Sequence, residues 1–342
     1  MNQLRLDPLS GRWVAVARDR ASRGGSVFVP RQLPSVVESR STCPFCPGHE
    51  DATPPALETY GSEGQWLVRV VPNRYPAFEG SQPFVLDHRG PVFTEAPASG
   101  IHEVLVFSPD HDLSWASFTP TQCELVMFAI RDRVEEHQST PGLRYSQVIV
   151  NSGREAGASI EHPHGQLLGI PFVPRELVDE QGSFARFAGG CLLCTASAAE
   201  ERAGYRVVPS TAETVTFAPY WSGTPYELLI VPRAHEGHLE RSGPTVLAGV
   251  GGAISITLAA LRSQLGDIAY NLVFHSAPYR ANAPYHWHVH VLPKLTTRAG
   301  FELGTGVYVN VVPPEEAAEE LRAAVEVDSP AAVGHSAAGA AS

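Results

Sequence analysis

The chain has 342 residues, of which 43% are hydrophobic, and a formal net charge of −11 at pH 7. This length favours two domains over one compact core, and the negative charge disfavours a general nucleic-acid binder, which needs phosphate-neutralising surface. No apolar leader opens the sequence and no uninterrupted apolar run long enough to span a bilayer stands out. We therefore expect a cytoplasmic protein with no membrane partner.

The first half predicts a series of short elements that ends in a histidine run. A Cys-x-x-Cys pair at positions 43 and 46 precedes an apolar strand at 103–107 and the turn Ser108-Pro-Asp-His111. Thr119 and Pro120 are typical of a helix N-cap and first position. A strand at 147–150 and a small-residue loop at 151–159 then lead into Glu161-His-Pro-His-Gly-Gln166. Residues two apart in an extended chain share a face, so both imidazoles should look into one cavity.

The second half repeats this order. A Cys-x-x-Cys pair at 191 and 194 precedes a strand at 227–231, the turn Pro232-Arg-Ala-His235, a helix beside Pro244, a strand at 271–274 and the run His286-Trp-His-Val-His290. His162 follows His111 by 51 residues (162 − 111), and His286 follows His235 by the same 51 (286 − 235). The match in order and spacing predicts two copies of one α+β unit.

Each half thus offers two thiols and two imidazoles. Four such ligands form a closed tetrahedral zinc site, which cross-links segments of the fold and leaves no open coordination position for catalysis. An odd number of cysteines without a leader disfavours a disulfide framework. We predict one or two structural Zn²⁺ sites, in which His49 could be a ligand of the first and His238 could replace His235. The predicted ligands are Cys43, Cys46, His111 and His162, and Cys191, Cys194, His235 and His286.

His164 is left free if His162 binds metal. A neutral imidazole can attack an α-phosphorus through one nitrogen when a backbone carbonyl holds its other N–H, and the product is a covalent nucleotidyl-histidine. Gln166, on the same face, can donate to a non-bridging oxygen. The loop at 151–159 predicts a phosphate cradle to which Arg154 adds charge. We therefore assign His164 and Gln166 as the catalytic pair.

The second run is the competing centre, because on spacing alone it is the fuller histidine triad. His288 corresponds to His164 and His290 to Gln166. The chain before it is rich in proline and offers fewer N–H groups to an anion. We expect this run to be structural or to contact a sugar phosphate.

The segments NSGREAGASIEHPHGQ, CPFC, SPDH and DPLSGRWVAVARDRASR resemble the galactose-1-phosphate uridylyltransferases, a duplicated branch of the histidine-triad superfamily. The resemblance runs from about Leu6 to Arg322. It implies that His164 is the nucleophile, that UDP-glucose donates UMP to galactose-1-phosphate, and that two chains pair as a homodimer. It also implies substrate contacts from Arg20, Arg23, Asn73, Asn151, Ser159 and Gln166.

Three alternatives remain open. The stretch at 300–310 and the second Cys-x-x-Cys pair are also similar to ADP-glucose phosphorylases, which move AMP between ADP-glucose and phosphate by the same histidine chemistry. A histidine-triad nucleotide hydrolase would pass the nucleotidyl group to water. A non-catalytic, zinc-stapled nucleotide-binding protein would bind the nucleotide sugar without forming an adduct.

The predicted fold class is α+β, with two tandem histidine-triad-like units, each an antiparallel sheet carrying one long helix, related by a pseudo-twofold duplication. The predicted domains are an N-terminal catalytic unit at 1–175 and a C-terminal unit at 176–327. Pro313-Pro314 introduces a terminal helix at 315–325. The low-complexity residues 328–342 are expected to be disordered.

Overall fold

The computed structural model describes residues 2–18, 40–62, 64–281 and 284–327. Over these ranges the chain is a mixture of strands and helices. The strands are β1 (Gln3–Leu6), β2 (Trp13–Val16), β3 (Glu58–Ser62), β4 (Gln65–Pro72), β5 (Asp87–His88), β6 (Thr94–Glu95), β7 (Ile101–Val106), β8 (Tyr145–Ser152), β9 (His164–Ile170), β10 (Val207–Val208), β11 (Thr214–Phe217), β12 (Leu228–Pro232), β13 (Tyr270–His275), β14 (His288–Pro293) and β15 (Tyr308–Asn310). The helices are α1 (Pro120–Ser139), α2 (Arg175–Arg186), α3 (Leu192–Ala203), α4 (Pro244–Leu265), α5 (Gly300–Thr305) and α6 (Pro314–Val327).

One antiparallel sheet of ten strands runs through both halves of the chain. Its order is β10-β11-β12-β14-β13-β8-β9-β7-β4-β3. The halves meet where β8 pairs with β13, and Asn151 lies opposite Asn271 in that register. Outward from this seam, β9, β7 and β4 follow on one side and β14, β12 and β11 on the other. The expected sheets of the two halves are therefore joined into one, because β8 and β13 each use their free edge to pair with the other.

The long helices cover one face of this sheet. Thr119 caps α1, since its side chain accepts the Gln122 N–H at 3.2 Å, and Pro120 opens the helix as predicted. The two helices α1 and α4 pack on each other and on the sheet, and α6 packs on α4. A Cβ at Gly251 would lie 2.8 Å from the Cys123 carbonyl oxygen, so glycine permits the close approach of α1 and α4.

Strand alternation leaves the opposite face of the sheet for the histidines. Leu105 and Leu167 belong to the core beneath the helices, whereas Val104 and Val106 pack with the first cysteine pair. His164 and Gln166 precede Leu167 by three residues and by one residue, which are odd intervals, so in β9 their side chains project to that second side. The predicted chemistry is thus carried on the face that α1 and α4 do not cover.

Helix α4 is apolar enough to meet a length and composition test for a membrane span, with a mean hydropathy of 1.7 over its most apolar window. Ser255 and Thr257 interrupt the apolar residues of α4, so this helix is not an uninterrupted apolar run. It packs against α1, the sheet and α6. Among the described residues it is the sole helix to meet the test, and it lies in the core of this fold.

Strands from near the two ends of the described chain form a separate three-stranded sheet. Strands β1 and β2 pair antiparallel, and β15 pairs parallel to β2. The terminal helix begins at Pro314, one residue before the predicted start. The segments at 19–39 and 328–342 lie outside the described residues, and with them Arg20, Arg23 and the predicted disordered tail.

Candidate active site and metal centres

The first predicted ligand set converges in a buried cluster. The Cys46 Sγ lies 3.4 Å from the His111 Nδ1 and 3.6 Å from the His162 Nδ1, and the Cys43 Sγ lies 3.7 Å from the His162 Nδ1. All four side chains are buried. Burial lowers the pKa of His162 to about 4, so its ring is neutral at pH 7.

The second ligand set forms the same arrangement nearer the surface. The Cys194 Sγ lies 3.4 Å from the His286 Nδ1 and 3.6 Å from the His235 Nδ1, and the Cys191 Sγ lies 3.5 Å from the His286 Nδ1. Cys191 caps α3, with its Sγ accepting the Cys194 N–H at 3.4 Å. His286 is buried, the two cysteines are half-buried and His235 is exposed.

Both clusters fit zinc. A tetrahedral ion with the usual zinc–sulfur and zinc–nitrogen bond lengths places sulfur and nitrogen about 3.6 Å apart, close to the separations seen here. The imidazoles are also held for that role. His162 Nε2–H donates to the Ser108 carbonyl at 2.7 Å and His286 Nε2–H donates to the Pro232 carbonyl at 3.0 Å, which leaves each Nδ1 lone pair for the metal.

The two substitute ligands lie elsewhere. His49 Nδ1 contacts the Cys43 carbonyl oxygen at 2.7 Å, which is the backbone of the cysteine turn and not its sulfur. His238 is buried with its Nδ1 3.3 Å from the Glu240 carboxylate. The geometry therefore favours His111 and His235 as the fourth ligands.

His164 is placed as a nucleophile requires. It is the first residue of β9, only 7% exposed, and its Nδ1–H donates to the His162 carbonyl at 2.8 Å. The Phe45 ring packs against it with centroids 5.3 Å apart. Burial lowers the pKa of His164, so the ring is neutral at pH 7. Among the described residues no hydrogen bond occupies Nε2, so its lone pair is available.

The small-residue loop and His164 line the same pocket. Asn151 and Gly153 contribute one wall. Gly153 has φ +83°, and a Cβ there would lie 2.6 Å from the Ala269 Cβ, so this position accepts only glycine. Ser159 is exposed and precedes Ile160, which lines the pocket. The pocket combines a neutral imidazole with a backbone loop suited to an anion.

Gln166 and Asn73 meet through a histidine that the sequence did not reveal. His102 Nε2–H donates to the Gln166 Oε1 at 2.9 Å, and the Asn73 Nδ2 lies 3.1 Å from the same His102 nitrogen. No motif singles out His102, because only the pairing of β7 with β9 brings it to Gln166.

A second missed residue, Asn271, supports the loop from the other half. Its Nδ2 donates to the Asn151 Oδ1 at 2.7 Å and to the Ala156 carbonyl at 2.9 Å. The predicted repeat matches Asn271 with Gln147 (271 − 124 = 147) and not with Asn151, so only the pairing of β8 with β13 reveals this contact.

The second histidine run forms a different site. His288 Nδ1–H donates to the His286 carbonyl at 2.9 Å, as in the first run, but the His288 Nε2 lies 3.1 Å from the His290 Nε2. His275 and Glu180 complete a group whose ligand atoms lie within 4.8 Å of one another, which could hold a cation. Burial opposes ionisation of Glu180, but the charge and hydrogen bond of His275 outweigh it and lower the pKa of that carboxyl.

Two kinds of known protein share this fold. The family model described as "Galactose-1-phosphate uridyl transferase, N-terminal domain" matches residues 1–174. An ADP-glucose phosphorylase of Arabidopsis thaliana is 30% identical over 94% of this chain and 92% of its own, and a galactose-1-phosphate uridylyltransferase of Thermotoga maritima is 28% identical over 94% and 98%.

Solved structures give the same picture. The Arabidopsis ADP-glucose phosphorylase with bound ADP-glucose has a TM-score of 0.80 at 27% identity, covering 94% of this chain and 99% of its own. A uridylyltransferase structure has a TM-score of 0.72 at 27% identity, covering 95% and 99%. Fold and site define a nucleotidyltransferase. The chain belongs to the galactose-1-phosphate uridylyltransferase family.

Proposed function

We propose that this protein transfers a nucleotidyl group from a nucleotide sugar to a phosphate-bearing acceptor through a covalent intermediate on His164. The observation that carries the proposal is the fixed tautomer of His164. Its Nδ1–H is committed to the His162 carbonyl, which leaves the Nε2 lone pair for an α-phosphorus, and residues 151–153 of the small-residue loop line the same pocket as His164.

In the first step the His164 Nε2 attacks the α-phosphorus of the nucleotide sugar. An N–P bond forms, the bond from that phosphorus to the bridging oxygen breaks, and the sugar 1-phosphate leaves with the electron pair. The Nδ1 proton stays on the ring, where the His162 carbonyl stabilises the positive charge. In the second step a phosphate oxygen of the acceptor attacks the same phosphorus and releases His164. Both leaving group and acceptor are ionised phosphates, so neither step needs a strong general base.

Supporting residues act on the phosphoryl oxygens. We assign Gln166 as a donor to a non-bridging oxygen and Asn151 as a contact of the loop, with Asn73 beside Gln166. Arg20, Arg23 and Ser159 remain predicted substrate contacts. Zinc bound by the two Cys₂His₂ clusters would cross-link distant segments of the chain and would leave the reaction to His164.

Uridylyl exchange is the first candidate reaction. UDP-glucose would leave UMP on His164 and release glucose 1-phosphate. Galactose 1-phosphate would then take the UMP from His164 and leave as UDP-galactose. The uridylyltransferase relatives, which span nearly the whole chain, support this assignment.

Phosphorolysis of ADP-glucose is the second candidate, and similarity supports it at least as well. The 30% identity to the Arabidopsis phosphorylase and the TM-score of 0.80 both exceed the values for the uridylyltransferases named above. AMP would pass to His164 and then to inorganic phosphate, which would yield ADP and glucose 1-phosphate.

Intact-protein mass spectrometry after mixing with UDP-glucose or ADP-glucose tests the function and the base together. We expect an increment of one UMP or one AMP in the wild type, and none in His164→Gly. His288→Ala is the matched control, because it removes the equivalent histidine of the other half. An unmodified wild-type protein with both sugars would overturn the proposal.

The strand order supports the predicted duplication. Reading outward from the β8–β13 seam, each half places a histidine-bearing strand second, β9 or β14, and each half repeats the carbonyl bonds that hold its histidines. We infer two tandem copies of one unit. The division at 175, the homodimer and the cytoplasmic location remain predictions.

A further inference from the structure

His102 lies where it can control Gln166. In the pairing of β7 with β9, Val104 lies opposite Gln166. His102 precedes Val104 by two residues, so it lies on the same face of the sheet and is the diagonal neighbour of Gln166. Its Nε2 reaches the Gln166 Oε1 at 2.9 Å.

The tautomer of His102 is fixed by a backbone group. The Ala77 N–H donates to the His102 Nδ1 at 3.0 Å, so Nδ1 is the acceptor and the ring proton lies on Nε2. The Asn73 Nδ2, 3.1 Å from the same His102 nitrogen, is itself a donor and cannot accept its proton, so the Gln166 Oε1 is the acceptor. These contacts make His102 a donor toward Gln166.

We propose that His102 is a positioning residue for nucleotidyl transfer, which holds the Gln166 carbonyl oxygen so that the amide NH₂ is presented to the phosphoryl group. The proposal rests on the proposed function. A glutamine amide can turn by half a rotation and exchange its oxygen for its nitrogen. A turned amide would present oxygen to an anion, whereas the His102 donor stabilises the orientation that presents the NH₂.

A double-mutant cycle separates this role from simple packing. The rate of adduct formation is measured by rapid quench in wild type, His102→Ala, Gln166→Ala and the double variant. We expect His102→Ala to slow the step about tenfold with KM changed less than twofold, and Gln166→Ala to slow it more. The double variant should match Gln166→Ala, because His102 acts only through that amide.

Two further variants sharpen the cycle. His102→Asn retains an N–H donor and should recover part of the rate. His88→Ala removes an exposed histidine of the same half and should leave the rate unchanged. Independent, additive losses in the double variant, or a normal rate in His102→Ala, would overturn the proposal.

A measurement without turnover tests the contact itself. In protein labelled with ¹⁵N-histidine, the His102 signals, assigned by their loss in His102→Ala, should show the proton on Nε2. That proton should exchange with water at least about tenfold faster in Gln166→Ala, because its acceptor is gone. A proton on Nδ1, or unchanged exchange, contradicts the positioning role. A wild type that forms no adduct contradicts the proposed function instead, and this measurement still decides the contact.

Discussion

The two histidine runs share a backbone and differ in what surrounds the second imidazole. His164 and His288 both begin a strand and both donate Nδ1–H to the carbonyl two residues earlier. Two positions on, the first run has Gln166 and the second has His290, whose ring lies 3.1 Å from the His288 Nε2. The same backbone arrangement therefore leaves the second imidazole nitrogen without a hydrogen bond among the described residues in the first run, and places another imidazole against it in the second.

The largest expected effect is on catalysis at the first run. His164→Gly should abolish turnover, by about 10⁴-fold or more, because the atom that forms the covalent bond is removed. His288→Ala should keep measurable transfer. Steady-state rates with each nucleotide sugar check this, and comparable losses in the two variants would remove the difference between the runs.

Metal loss should affect the two clusters unequally. Cys43→Ser opens a cluster whose four side chains are all buried, and should lower the free energy of unfolding by about 4 kcal/mol or more. Cys194→Ser, beside the exposed His235, should cost about half as much. Urea denaturation measures both, and elemental analysis should show about one zinc equivalent lost in each. Equal destabilisation, or no zinc in the wild type, would contradict this account.

Gly165 marks a packing difference between the runs, since the second has Val289 at that position. A Cβ on Gly165 would lie 2.5 Å from the Phe107 Cζ, so Gly165→Ala should lower the free energy of unfolding by about 1–3 kcal/mol and slow adduct formation. Gly304→Ala is the control, because nothing lies within 4 Å of its added Cβ. A fully stable and active Gly165→Ala would contradict this packing argument, because it would show that the start of β9 can shift to make room for the added Cβ.

The smallest effect is expected at the seam between the halves. Asn271→Ala removes two hydrogen bonds that hold the Asn151 loop, and should lower kcat/KM about fivefold to tenfold. Asn151→Ala should cost more, because it also removes the proposed phosphate contact. A larger loss in Asn271→Ala than in Asn151→Ala would place the substrate contact in the second half.

Sequence predicted the parts of the site that depend on local pattern. The paired cysteines and the equal His intervals identified both clusters, which the structure brings together, and the His-Pro-His run located the pocket. His102, Asn271, Glu180 and His275 were missed because strand register and helix docking, rather than spacing, bring them into place. The continuous sheet was missed for the same reason, since the edge pairing of β8 with β13 joins segments about 120 residues apart in the chain.

The central claim, that the first run alone supplies the nucleophile, is tested most directly by locating the bound nucleotidyl group. After brief reaction with UDP-glucose or ADP-glucose, proteolysis and tandem mass spectrometry should place the UMP or AMP on the peptide that contains His164. Placement on the peptide that contains His288, or on no histidine, would contradict the account.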